Sequence, residues 1–468
     1  MIKEKQAAHD ETMPQLAKAL NAAMMEPILE NFLKEEYPDR NLHFKRFQIG
    51  RVFHRPGKDC RILYRMFCKN GDGKYKKLLL SGIISARKNG YHKSQQEVRD
   101  SWPGCGAWKP VSFLPDLALK LYTFPYDPKL PYLGRLLEPE TVSQFVEQHQ
   151  EKGFGLSKEW KFVKVKPQIR KYRPYKRCLL RYRAIFENSR GEQQNIFFYG
   201  KTYNTDQSRY VFEALSRIGN NPANKNGVLN IPRVIAHIDN ANTIWQLEWR
   251  GINFSRTIEK NFGWERLHES GYLPKIAAMI AALHCVEIPD EYLDSGPRPQ
   301  VILENSNSHI IDILEFLPGK EKLLKHLAGK YANLAPADDV SIPKTTIHGT
   351  FKLAQILCRD GQLALVDFDS IAHGDPLYDI AEFASSLIFL SVSDGISKTS
   401  TSRSLEIFLS EYENRVQWAC DRKRLAWYIV AFLLGKIHAT LKRAEAEAQQ
   451  NANAGFEMLQ EWLAVAGK

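Results

Sequence analysis

The sequence predicts an α+β chain of two lobes, the first rich in strands and the second helical. An extra N-terminal α/β cap duplicates a hairpin of the first lobe. Three observations predict this. A strand–turn–strand pattern occurs twice at an offset of 118 residues, at Arg55–Gly82 and at Arg173–Gly200. From Pro274 onward, apolar residues recur at helical spacing. Between helical stretches lies "TTIHGTFKLAQILCRDGQLALVDFD", from Thr345, which reads as short strands and polar loops. At 468 residues the chain is too long for one ordinary core. The expected divisions are a cap over 1–150, a β-rich lobe over 151–250 and a helical lobe over 251–468.

The 44% hydrophobic and 25% charged content is that of a soluble globular protein. The most apolar run, Ile380 to Val392, is interrupted by Glu382 and is short of the roughly 18 residues a membrane span needs. The first residues, "MIKEKQAAHDETMPQ", mix charges and lack the apolar core of a secretory signal. Seven cysteines without CxxC spacing argue against a disulfide framework and cysteine-held zinc, and for a reducing, cytoplasmic compartment. The net charge of +12 suits nucleic acid, an anionic membrane or a phosphate-bearing ligand. Its densest cluster is "KFVKVKPQIRKYRPYKR", Lys161 to Arg177. A solvated strand-and-turn face would produce the same cluster. No zinc finger, helix-turn-helix or RNP-type aromatic signature accompanies it, so nucleic acid is the minority reading.

The repeat organises the first half. Arg55/Arg173, Pro56/Pro174, Lys58/Lys176, Cys60/Cys178, Tyr64/Tyr182, Asn70/Asn188, Gly73/Gly191 and Gly82/Gly200 are identical pairs. In each copy a basic turn leads into a strand of bulky residues, then a polar turn and a second strand. After the shared glycine, the second copy carries Lys201 where the first has Ile83. A lysine on an apolar strand end is costly unless it meets an anion, so the second copy is equipped to hold phosphate and the first is not. A helix carrying Glu213 follows, marked by Val211, Phe212, Leu215 and Ile218. Two strands around an Asp-Asn turn come next, in "VLNIPRVIAHIDNANTIWQLEWRG". Then come an amphipathic helix in "LPKIAAMIAALHCVEIP", a helix pair broken at Pro318-Gly319, and a helix-rich end from Arg403 to Trp462.

In the segment from Thr345, His348, Thr350, Lys352 and Gln355 converge just before the apolar pair Ile356-Leu357. Asp367 and Asp369 close the next apolar run, and alternate positions on a strand point to one side. An amide and strand-end carboxylates offer hard oxygen ligands that suit Mg²⁺ together with phosphate oxygens. A polar loop capping a β-ribbon is the plain structural alternative.

These motifs resemble the aminoglycoside phosphotransferase and choline kinase-like superfamily, in which an HGD-x-x-x-x-N loop precedes an IDF strand and a GDP-x-x-D segment. This chain has "HGTFKLAQ", "VDFD" and "GDPLYDIAEF". In length, in the N-terminal cap, in Gln355 and in Asp369 it is similar to the maltokinase and glucosamine-kinase branch. The resemblance implies a bilobal protein-kinase-like fold that takes ATP, Mg²⁺ and a small hydroxylated acceptor, a sugar or amino-sugar. It gives Lys201 the nucleotide phosphates and Glu213 as partner. Arg173 and Lys176 would supply charge over the phosphates. The hinge of Leu247, Glu248 and Trp249 would meet adenine through its backbone, and Gln355 and Asp367 would hold Mg²⁺. His348 would brace the loop, while Asp375 and Asp379 would fix it and cap the next helix. The cap could engage a protein partner; no membrane is implied.

At one position the pattern fails. Thr350 stands where the family carries the aspartate that accepts the acceptor's proton, and threonine has no useful basicity near neutral pH. Three readings follow. Asp369 or the substrate itself takes the proton in an atypical kinase; the chain is a pseudokinase that binds nucleotide; or it transfers another group, such as AMP.

Overall fold

The computed structural model describes residues 10–55, 57–69, 75–86, 108–337, 343–443 and 448–468. The Asn70 and Gly73 turn of the first repeat, Pro56, and part of the proline- and glycine-rich stretch after Ser101 lie outside these residues. The chain divides into two compact units, one of residues 1–209 and 235–247, the other of residues 210–234 and 248–468.

The first unit opens with helix α1 (Ala22–Glu36), whose N-terminus is capped by the Asn21 side chain accepting from the Met24 amide. Met25, Leu29 and Leu33 recur every fourth residue and form its buried stripe. Strands β1 (His43–Arg55), β2 (Asp59–Lys69), β3 (Tyr75–Ser85), β4 (Val111–Leu114) and β5 (Leu119–Thr123) form one sheet in the order β1-β2-β3-β5-β4. Helix α2 (Pro139–Gln148) follows. Strands β6 (Lys161–Arg173), β7 (Arg177–Glu187), β8 (Gln193–Tyr203), β9 (Val234–Ile238) and β10 (Thr243–Leu247) then form a second sheet in the order β6-β7-β8-β10-β9. On β2, Cys60, Ile62, Tyr64, Met66 and Cys68 alternate inward; on β7, Cys178, Leu180, Tyr182, Ala184 and Phe186 do the same.

The duplication is therefore larger than the hairpin seen in the sequence. Tyr64 pairs with Leu80 and Tyr182 with Phe198, the same register in each sheet. A bulge falls between Phe44 and Arg46 in β1 and between Phe162 and Lys164 in β6. The Tyr64 hydroxyl donates to the Ala19 carbonyl at 3.0 Å, and the Tyr182 hydroxyl to the Leu136 carbonyl at 2.9 Å. Each tyrosine ring lies over the shared glycine: a Cβ on Gly82 would come within 2.9 Å of Tyr64, and one on Gly200 within 2.9 Å of Tyr182. Even the approach to the basic turn is repeated. Asp10 Oδ2 lies 2.8 Å from His54 Nε2 and accepts from the Gly57 amide at 3.2 Å. Asp127 Oδ2 accepts from the Tyr172 hydroxyl and the Tyr175 amide, each at 2.8 Å. Residues 54 and 57 become 172 and 175 at the repeat offset.

Each copy has its own core. That of the second also takes in Leu63 and Leu79 from the first sheet, so the two copies pack together. The second copy's turn lies against the first as well: Arg61 sits over the Tyr175 ring at 4.7 Å and Lys176 over the Phe53 ring at 5.6 Å.

Helix α3 (Gln207–Asn220) carries the chain into the second unit. There α4 (Phe254–Asn261), α5 (Tyr272–His284), α6 (Pro299–Phe316), α7 (Glu321–Asn333), α8 (Pro376–Ser393), α9 (Lys398–Glu413), α10 (Arg422–Arg443) and α11 (Ala448–Ala466) provide most of the mass. The helix pair breaks at Pro318–Lys320, where the sequence places proline and glycine. Strands β11 (Ile252–Asn253), β14 (Ile356–Arg359) and β15 (Gln362–Leu365) make one small sheet, and β12 (Asp294–Ser295), β16 (Ala372–Gly374) and β13 (Thr345–Ile347) another. Helix α10 is long and apolar enough to cross a membrane, but most of it is buried: Leu425, Ile429, Leu433 and Ile437 are core residues.

Candidate functional site

The loop between β13 and β14 is fixed from below by α8. Asp375 caps that helix by accepting from the Leu377 amide at 2.9 Å. One turn on, fully buried Asp379 accepts from the amides of His348 at 2.6 Å and Gly349 at 2.9 Å. His284 Nε2 completes its partners at 3.2 Å, and the Tyr412 hydroxyl lies 2.8 Å from the other ring nitrogen. Gly349 has φ 74°, and a Cβ there would lie 2.1 Å from the Ser370 carbonyl oxygen, so no other residue fits.

His348 is fully buried, with Nε2 3.1 Å from the Val366 carbonyl and its ring tilted on Phe368. Burial pushes its pKa down, so the ring is neutral near pH 7. Nε2 then carries the hydrogen that the Val366 carbonyl accepts, leaving Nδ1 to accept from the Thr350 hydroxyl at 3.3 Å. Thr350 is thus half-buried and oriented by the histidine.

The Gln355 Nε2 amide lies 3.5 Å from Asp367 Oδ2. Asp367 has φ 70°, a conformation non-glycine residues seldom hold and one that clusters at functional sites. The expectation that Asp367 and Asp369 share one face of a strand is corrected here. Strand β15 ends at Leu365; the Val366 amide still bonds the Gln355 carbonyl, and the left-handed backbone of Asp367 then breaks the extended run. Both aspartates lie beyond the ladder, where strand parity no longer applies. Among the described residues no three His, Cys, Asp or Glu gather to hold a metal. One amide beside one exposed carboxylate fits an ion that takes its other ligands from phosphate and water, as Mg²⁺ does.

His348, Thr350 and Gln355 thus stand in one loop, and Gln355 reaches Asp367, which follows β15 with Asp369 just beyond. The other candidates are carried by other elements. Lys201 is on β8, opposite Leu179 and Ile244, with its ammonium 5.8 Å from the Tyr203 ring. It belongs to the first unit and Glu213, on α3, to the second. Arg173 and Lys176 flank the β6–β7 turn. The chain passes finally from the first unit to the second between Leu247 and Glu248. Glu248 lies 4.0 Å from Arg250, and the Trp249 ring carries Arg359 at 5.1 Å.

The sequence reading missed two groups. His284 and Tyr412 buttress Asp379, and no local signal marks them. Lys352 Nζ lies 4.0 Å from Glu382 Oε1, one helical turn beyond Asp379. Glu382 did announce itself, as the lone charge in the chain's most apolar run.

Residues 222–398, less than half of the chain, match the family described as the phosphotransferase enzyme family. No curated protein matches the chain. Among solved structures it is similar to the aminoglycoside phosphotransferase APH(3'')-Id from Streptomyces rimosus, at 16% identity over 62% of this chain and 96% of that one, with a TM-score of 0.34. It is similar to choline kinase from Cryptosporidium parvum, at 12% identity over 69% and 94%, with a TM-score of 0.43. It is also similar to the Plasmodium vivax ethanolamine kinase, at 13% identity over 68% and 88%, with a TM-score of 0.38.

Proposed function

We propose that the chain binds ATP with Mg²⁺ and transfers a phosphoryl group to a small hydroxylated acceptor, a sugar or amino-sugar. The observation that carries this reading is the contact of Asp367 with Gln355, which stands in a loop whose amides Asp379 holds, inside the segment that matches the phosphotransferase family. Gln355 and Asp367 hold the metal, which neutralises charge on the phosphates when bound. Thr350, aligned by His348, hydrogen-bonds the acceptor hydroxyl. Lys201 meets the phosphates, and Glu213, Arg173, Lys176, Glu248 and Trp249 are the nucleotide contacts that the resemblance implies. Because phosphoryl transfer depends mostly on positioning and charge, it survives without an aspartate at position 350.

A second reading, nucleotide binding without transfer, is favoured by Thr350 itself, whose hydroxyl faces a neutral imidazole that burial makes a poor base. The test is thermal stabilisation by ATP with Mg²⁺, followed by ADP release over a panel of hydroxylated acceptors. Stabilisation with acceptor-dependent ADP release is expected. Stabilisation alone selects the second reading, and no stabilisation overturns both.

A further inference from the structure

A cavity of about 100 Å³ lies where the second copy's basic turn meets the first sheet. That is room for several waters or for one phosphoryl group. Arg51, Phe53 and Arg61 of the first copy line it, with Arg173 and Lys176 of the second. The rest of its wall is apolar, and among the described residues no acidic side chain lines it. The two copies bring their cations to the same ring: Phe53 carries Arg61 at 6.0 Å and Lys176 at 5.6 Å. Like charges gathered so closely repel unless an anion joins them. Asp59 lies 3.5 Å from the Arg61 guanidinium, but both of its oxygens accept from Arg55. The Arg61 Nε is buried with no hydrogen-bond partner. A buried N–H on a guanidinium fork calls for an acceptor.

The repeat marks these cations as additions. At its offset, Arg51 and Arg61 correspond to Ile169 and Leu179. The second copy builds the same hairpin with apolar residues there, so the shared fold does not need either arginine. Arg51 falls in the irregular stretch of β1 between Ile49 and Val52, and such irregularities re-aim side chains. Tyr175 has φ 62°, where its counterpart Gly57 has φ 66°. A bulky residue seldom holds that conformation, and residues that do cluster at functional sites. Here the tyrosine stands between Arg173 and Lys176 in the chain and carries Arg61 on its ring at 4.7 Å.

We propose that the two copies together form a binding site for a phosphorylated small molecule. Arg51 and Arg61 reach its phosphoryl group from the first sheet, and Arg173 and Lys176 from the second. Guanidinium forks match phosphate oxygens in pairs, and the apolar wall strengthens the attraction. Binding here holds whether or not the chain transfers phosphate. It also gives the N-terminal cap a purpose, since the first sheet supplies half of the site. The phosphoryl group is either that of ATP, to which Arg173 and Lys176 are assigned above, or that of a separate phosphorylated molecule.

The experiment titrates the full chain with inorganic phosphate and with tripolyphosphate, for the wild type, Arg51→Met, Arg61→Met, Arg61→Lys and Lys58→Met. Lys58→Met removes the same charge from the first copy's own turn, outside the cavity. Urea denaturation of each variant separates loss of binding from loss of fold. Binding of both probes, weakened by salt, is expected. Arg51→Met and Arg61→Met should each weaken it about 10-fold or more. Arg61→Lys, which keeps the charge and loses the fork, falls between, and Lys58→Met binds as the wild type does. Competition reads the source. If tripolyphosphate displaces ATP and Arg61→Met weakens both alike, the phosphoryl group is the nucleotide's. If ATP binds undisturbed, a second phosphorylated ligand uses the site; either result supports the proposal. Equal weakening in Lys58→Met and Arg61→Met marks a general attraction to a cationic surface and overturns it. Failure of both phosphate probes to bind also overturns it, and ATP with Mg²⁺ binding all the same leaves the phosphotransferase reading standing.

Discussion

In the first sheet, Asp10 takes the Gly57 amide and the His54 ring; in the second, Asp127 takes the Tyr175 amide and the Tyr172 hydroxyl. The two aspartates do the same job with opposite electrostatics. Burial works against the Asp10 carboxylate, but bonds from Thr12, His54 and Gly57 prevail and hold it down to about 2, from an ordinary 3.8. Asp127 is more deeply buried, and burial outweighs bonds from Tyr175, Lys129 and Tyr172, so its pKa rises. The contrast teaches that a duplicated backbone device survives changes of its side-chain partners, while the charge it carries drifts with depth. The divergence at Ile83 and Lys201 has the same form: equivalent places next to a shared glycine, one apolar and one cationic.

The comparison is broken most strongly at that last pair. Lys201→Ala is expected to weaken ATP binding by about 100-fold, the scale of a lost charge-assisted contact, while Ile83→Ala leaves it unchanged. Titration calorimetry decides, and equal effects would remove the claim that the copies differ in ligand. Next in size are the anchors. Asp127→Ala strands three donors and should cost about 3 kcal/mol in urea denaturation, against about 1 kcal/mol for the shallower Asp10→Ala.

Acid sharpens the contrast. Asp10, with its lowered pKa, stabilises fully above about 3.8 and loses this as pH falls toward 2, so the penalty of Asp10→Asn fades over that window. Asp127, with its raised pKa, contributes most when protonated and loses this as pH rises, so no such fading is expected for Asp127→Asn. The smallest contrast is between Gly82→Ala and Gly200→Ala. Each drives a methyl to within 3 Å of the shared tyrosine, so each should cost about 1–3 kcal/mol and the two should agree within about 1 kcal/mol. A large gap in thermal unfolding would mean the two sheets are packed by different rules.

The hairpins were legible because inward positions recur every second residue and the turns share letters. The rest of the duplication was not. Pro115–Leu117 closes at Ala118, and Asp239–Ala241 closes at Asn242, each with a left-handed residue, yet the two turns share no pattern of side chains. Backbone shape was retained where residue identity was not. In the site, the loop and its helix cap could be read because an N-cap is a local device. The placement of Asp367 could not: its left-handed backbone, which breaks the strand, leaves no mark in the alternation of residues. Glu382 was visible only as an interruption, since its meaning depends on Lys352 and on the depth of α8.

Order of manufacture gives the paired sheets a further consequence. A ribosome delivers β1 to β5 by Thr123, but the second sheet lacks its last two strands until Leu247 has emerged. In that interval the first copy has its own core, while the core in which Leu63 and Leu79 pack is still without Ile235, Ala236, Ile238, Ala241 and Trp245. The earlier copy therefore presents a formed apolar seat to the later one. Chains interrupted between Thr123 and Leu247 should be the aggregation-prone products of its synthesis.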